Sequence, residues 1–254
     1  MREFKNIVAT IVYCTVFLSL THSAHAQDEI ETAPDQYENP NTVPAGYFQM
    51  ENRFTLQDDG SNAQSLILPS TNWKFGINNN LEIIMVTDVA FNKTSDENFN
   101  GLQPLKFGLK VKLWKGRGIL PDAAVSMQFA IPKLASKDWQ AKHLAPNLRL
   151  LLKNKLTEKL NLGFNAGTIW DGDTTNPQFF YNVSPKYKLS KKLECFIEAY
   201  GYLRGTWAAE NWADGGLTYL ITNDVQAELS AGYELSSAQG AHRYFGLAGI
   251  AFRL

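Results

Sequence analysis

From about residue 45 onward, hydrophobic and polar side chains alternate almost one for one. Leu105, Phe107, Leu109, Val111 and Leu113 interleave with Lys106, Gly108, Lys110 and Lys112. A helix would place Lys106, Lys110 and Leu113 on one face, so the two-residue period decides for a strand. Leu160, Leu162, Phe164 and Ala166 interleave in the same way with Asn161, Gly163, Asn165 and Gly167, and the rhythm returns from Val225 to Leu235. It predicts twelve strands, near 46–56, 65–77, 81–91, 103–114, 119–131, 145–154, 160–170, 178–188, 193–203, 212–222, 225–235 and 243–254.

The connections alternate in length. Short turns fall at 78–80, 115–118, 155–159, 189–192 and 223–224, and longer loops near 57–64, 92–102, 132–144, 171–177, 204–211 and 236–242. Five short and six long connections suit an all-β, antiparallel up-and-down barrel with both termini on the short-turn side. Outer-membrane barrels have this asymmetry, with short periplasmic turns and longer outer loops. Alternation alone leaves a soluble barrel with an apolar interior open. The strand length, the charges gathered opposite the apolar face and the final strand favour the membrane form. In that strand Tyr244, Ala248, Ile250, Phe252 and Leu254 share one face, which resembles the insertion signal of outer-membrane proteins. By the same phase Trp114 points inward.

The first 45 residues differ. Arg2 and Lys5, an apolar run from Ile7 to Leu20 and Ala24-His25-Ala26 read as a signal peptide cleaved after Ala26. Residues 27–44 carry Asp28, Glu29, Glu31, Asp35 and Glu38, three prolines and no base, the composition of an extended arm. The expected division is therefore 1–26 signal peptide, 27–44 acidic periplasmic arm and 45–254 barrel. Beyond the leader no stretch approaches the ~18–20 apolar residues of a membrane helix. The charge balance, 24 Lys+Arg against 25 Asp+Glu, disfavours nucleic acid as a partner. One of the two cysteines, Cys14, falls in the leader, which excludes a disulfide framework and a Cys-based zinc site.

Several runs resemble a known family. The stretch from Thr32 through Pro44-Ala45-Gly46-Tyr47 to Glu51 resembles the opening of the outer-membrane transporter family named for the meta-pathway of phenol degradation. Gly76-Ile77-Asn78-Asn79-Asn80-Leu81-Glu82, Asn165-Ala166-Gly167, Asp214-Gly215-Gly216 and the tail from Gln226 to Arg253 extend the likeness over nearly the whole chain after the leader. The resemblance implies a membrane barrel that moves aromatic or other hydrophobic small molecules.

The residues themselves leave two classes open: a channel for small solutes through a narrow charged lumen, or a closed structural or adhesive barrel that binds partners by its loops. Loops of only about 7–13 residues are short for an adhesin. An enzyme is disfavoured, because neither His143 nor His242 has a serine two residues on. Asp171-Gly172-Asp173-Thr174-Thr175-Asn176 lacks the closing Glu of a calcium loop and reads as solvated; neither a metal nor a cofactor is expected. The expected partners are outer-membrane lipid and a small solute, with a monomer favoured.

Candidate lumen residues follow from the inward phase. The bases are Arg53, Lys106, Lys110, Lys112, Arg149 and Lys153; the acids are Glu51, Glu198, Asp214, Glu228 and Glu234, with Asn165 between them. Bases on the fourth and sixth strands would face acids on the ninth to eleventh, giving a transverse field. Local pairing with Glu82, Asp88 or Lys186 is the open alternative. The arm's acids should be drawn to lumen bases such as Lys112.

Overall fold

The computed structural model describes residues 29–32, 36–58, 64–93, 98–205, 209–236 and 242–254. The expected signal peptide 1–26 lies outside the described residues, as do Gln27, Asp28 and residues 33–35 of the arm.

The chain forms a closed antiparallel barrel of twelve staves. Its strands are β1 (Phe48–Asp58), β2 (Gln64–Asn78), β3 (Leu81–Lys93), β4 (Asn98–Leu102), β5 (Lys106–Trp114), β6 (Asp122–Ala130) and β7 (Ala145–Lys155). They continue with β8 (Leu160–Ile169), β9 (Gln178–Lys188), β10 (Leu193–Leu203), β11 (Glu210–Thr222), β12 (Val225–Ser236) and β13 (Tyr244–Arg253). Each stave bonds its sequence neighbour, and β1 pairs with both β2 and β13, which closes the ring. The fourth stave is interrupted. β4 pairs with the long-loop end of β3 and β5 with its other half, and Gln103-Pro104-Leu105 divides them because proline has no N–H to give to a ladder. What the alternation assigned to a long loop near 92–102 is thus largely paired strand.

The two faces settle what surrounds the barrel. Phe54, Leu109, Ile197 and Leu229 stand on the outside, the last two 65% and 63% exposed, while Glu51, Glu82, Lys110 and Glu234 are buried inside. Apolar flesh outward and charge inward is the inverse of a soluble protein and fits a barrel whose outer wall meets lipid. Leu229→Arg would put a charge on this wall near mid-strand and is expected to cost about 2–4 kcal/mol. Reversible unfolding in lipid vesicles checks it; a cost below 1 kcal/mol, roughly the interfacial figure, would place Leu229 outside the bilayer.

One side chain departs from the expected phase. A bulge between Lys112 and Trp114 breaks the alternation, so Trp114 is exposed and its indole N–H donates to Pro121 O at 2.9 Å.

Candidate functional site

The inside of the barrel is occupied by its own N-terminal segment. Ile30 begins it at the short-turn mouth, packed with Leu220 and Ala251, its N–H bonded to Asn223 O at 2.8 Å. Beyond it Thr32 Oγ1 donates to Gln226 Oε1 at 2.6 Å. Farther in, Glu198 accepts the backbone N–H groups of Gln36 and Tyr37 at 3.1 and 3.3 Å. Asn165 grips Glu38 by both backbone groups: its Oδ1 accepts from Glu38 N and its Nδ2 donates to Glu38 O. The segment then descends past Lys110 and Lys112, which donate to Asn41 O and Asn41 Oδ1, and past Glu82, which accepts Val43 N at 2.7 Å. Pro44-Ala45-Gly46 turns it into β1, with Gly46 in the left-handed region at φ 81°.

The segment therefore spans the lumen from the β11–β12 wall to β3, touching β10, β8, β7 and β5 on the way. Its composition explains the path. An extended chain pairs with no strand edge here, so its backbone groups need side-chain partners, and the inward polar file supplies them. Tyr37 lies over Gly163, where an added Cβ would fall within 2.8 Å of three ring atoms, so only glycine leaves room for it. Burial, and then the charges of Glu31 and Glu198, push the Tyr37 phenol well above the usual tyrosine range, so it remains a proton donor.

All twelve candidate lumen residues lie on the inner face, and the pairing alternative describes most of the charges. Lys110 binds Glu82 at 3.1 Å and Glu38 at 3.4 Å, and Lys106 binds Asp88 at 2.9 Å. Glu51 binds Lys74 at 2.6 Å, and Glu194 binds Lys186 at 2.7 Å. Arg53 reaches Glu228 at 3.5 Å across Gly249, which pairs with Arg53 on one side and Glu228 on the other. Glu234 is held by Arg243, and Lys153 binds Glu31 of the arm at 2.9 Å. Lys112 meets the arm through Asn41 rather than through an acid. Glu198 and Asp214 sit opposite one another on β10 and β11. The transverse field is thereby reduced, because most of these charges find an opposite one on a nearby stave or on the arm at a fraction of the distance across the lumen.

The long-loop half of the lumen holds a feature the alternation missed. Phe180, Tyr200, Trp212, Phe245 and Leu247 form a buried cluster, with Tyr202 and Ile169 against it. Tyr200 stacks on Trp212 at 6.1 Å between ring centres, and Trp212 meets Phe245 at 6.0 Å. Arg149 lies 4.2 Å over the Phe180 ring and Arg243 5.0 Å over Trp212, so two cations face the aromatic wall. The available signal was an aromatic interrupting an otherwise polar file, as Phe180 does between Gln178 and Asn182.

The short-turn half opens instead into a cavity of about 750 Å³, bounded by the arm and by lysines of the turns. No group of His, Cys, Asp and Glu fit to hold a metal occurs among the described residues. Asp171 Oδ1 accepts the N–H groups of Asp173 and Thr174; although partial burial pushes its carboxyl up, these bonds hold it below the usual range. His143 is exposed, His242 Nδ1 lies 2.9 Å from Glu234 O, and Cys195 Sγ lies 3.7 Å from Tyr187 O.

A family model described as "Putative MetA-pathway of phenol degradation" matches residues 29–254. No curated protein matches the chain in sequence. Among solved structures, the barrel is similar to the COG4313 outer membrane channel from Pseudomonas putida F1, with TM-score 0.69 and 10% identity over 88% of this chain and 100% of that one. It is also similar to the NanC porin, with TM-score 0.56 and 14% identity over 81% and 100% of the two chains. The KdgM porin in complex with disordered oligogalacturonate follows, with TM-score 0.52 and 10% identity over 80% and 98%.

Proposed function

The chain belongs to the family described as "Putative MetA-pathway of phenol degradation", and from that premise we propose that it is an outer-membrane channel for small solutes, aromatic and other hydrophobic ones foremost. On this reading residues 1–26 direct export and are removed near Ala26, the short turns face the periplasm, and lipid surrounds a monomer.

The observation that carries the reading is the aromatic wall inside the outer half of an otherwise charged lumen. A barrel needing only to be filled could use any side chain there. Stacked rings flanked by guanidinium groups offer an aromatic solute both apolar area and a polarisable face. Because the rings are buried against one another, a solute must part them, so the wall acts as a constriction as well as a surface. Below it the arm narrows the path, and Lys110, Arg149, Asn165 and Glu198 serve the passage by holding that arm. Lys112 and Lys153 hold it too, while Glu51, Arg53, Lys106, Glu228 and Glu234 pair with opposite charges nearby and keep the wall's shape.

Uptake of phenol and of glucose into liposomes carrying the purified barrel tests the proposal. Phenol is expected to enter faster, after correction for leakage through bare lipid. Trp212→Ala should cut that preference several-fold while leaving the barrel folded, as seen by its heat-shifted gel mobility. Equal uptake of both solutes, unchanged by Trp212→Ala, would remove the aromatic part of the reading.

A further inference from the structure

At the short-turn mouth the protein already binds a carboxylate: its own. Glu31 of the arm accepts from Lys153 Nζ at 2.9 and 3.0 Å and from Asn41 Nδ2 at 2.8 Å, and Asn39 Nδ2 donates to the same group. Three donors from two directions make a built carboxylate seat. The occupant is accessible, since the Glu31 side chain is 45% exposed and faces the cavity of about 750 Å³.

Two further donors stand beside the seat unused. Gly163 on β8 is in register with Lys153 on one side and Ser184 on the other, and the Tyr37 ring lies over it. The hydroxyls of Ser184 and Tyr37 are buried and have no hydrogen-bond partner among the described residues. Both residues line the cavity, which suits a ligand larger than a carboxylate alone. The cavity also attracts anions. Among the described residues ten cationic side chains line it against five acids, and no acid pairs with Lys112, Lys115, Lys191 or Lys192.

We propose that this seat is a binding site for a small organic carboxylate, which exchanges with Glu31 on Lys153 and reaches the Ser184 and Tyr37 hydroxyls with its remaining polar groups. Exchange removes one of the ties that hold the arm to the wall, so a carboxylate solute loosens the arm as it binds. The idea deepens the channel reading by giving the periplasmic mouth its own ligand class, and it rests on that reading only for its use.

Calorimetric titration of the full mature chain in detergent micelles tests it, with benzoate as probe and benzyl alcohol and inorganic phosphate as comparisons. Benzoate is expected to bind wild type, to bind Glu31→Gln about tenfold more tightly because the competing carboxylate is gone, and to weaken with salt. Lys153→Gln should abolish the heat, while Lys155→Gln, whose partner Glu158 is out on the turn, should not change it. Equal affinity in wild type and Glu31→Gln would overturn the proposal. So would benzyl alcohol or phosphate binding as well as benzoate, the first by showing apolar uptake and the second by showing diffuse attraction to lysines. Heat-shifted gel mobility establishes that each variant is folded. The titration needs no current, so a barrel that fails to conduct leaves its result standing, and failure to bind benzoate leaves conduction untouched.

Discussion

Deleting residues 27–44 is expected to raise single-channel conductance several-fold. The arm crosses the lumen at the height of Glu198, Asn165 and Arg149, and β3, β5, β7, β8, β10 and β12 each give it a hydrogen bond or an ion pair. A twelve-strand ring lies between eight strands, filled by side chains, and sixteen, which leave an aqueous pore; whether it conducts therefore turns on what else stands inside. The deletion frees Glu198, Lys110 and Glu82 from the arm's backbone but admits water to replace it, so the barrel should still fold. Planar-bilayer recordings of the full and shortened chains decide the matter. Equal conductance would mean that the arm leaves the lumen when current flows.

The second large effect concerns stability. Lys110 and Glu82 are 2% and 1% exposed in their side chains, and Glu38 shares the same ammonium. Lys110→Met leaves the buried Glu82 carboxylate and the partly buried Glu38 carboxylate without their cation, which is expected to cost about 3–5 kcal/mol. Replacing both partners, as Lys110→Met with Glu82→Gln, should recover most of that loss, because no uncompensated charge remains on the wall. Urea titration of the barrel in lipid reads both variants. If the double variant is no more stable than the single one, the cost comes from packing around the lysine stem rather than from charge.

The barrel was legible in the chain because period two is a local property. Leu109 and Lys110 face opposite ways whatever their neighbours do, and the twelve files from residue 46 to 254 follow. Trp114 and residues 98–102 were misread where a bulge or a proline interrupts that period, since neither is marked by hydrophobicity alone. The inward residues were legible too, but not their partners. Arg53 meets Glu228 only because the seam strand pairs with both of theirs, and Lys153 meets Glu31 only because the arm enters the lumen. Phe180, Tyr200 and Trp212 escaped because an isolated aromatic in a polar file reads as noise until its counterparts on other staves are known.

The seam between β1 and β13 has a consequence for assembly. It joins Gln49 to Arg253 and Asp58 to Tyr244, so its contacts span nearly the whole chain and are the dearest in loop entropy. Neighbouring hairpins can zip early; this pair can form only after the last residue has been made and exported. The arm runs directly into β1, and its first apolar anchor, Ile30, rests on Ala251 of the partner strand. Capture of the arm and closure of the ring therefore wait on the same late step, and a chain shortened by a few residues at its C-terminus would lose both together.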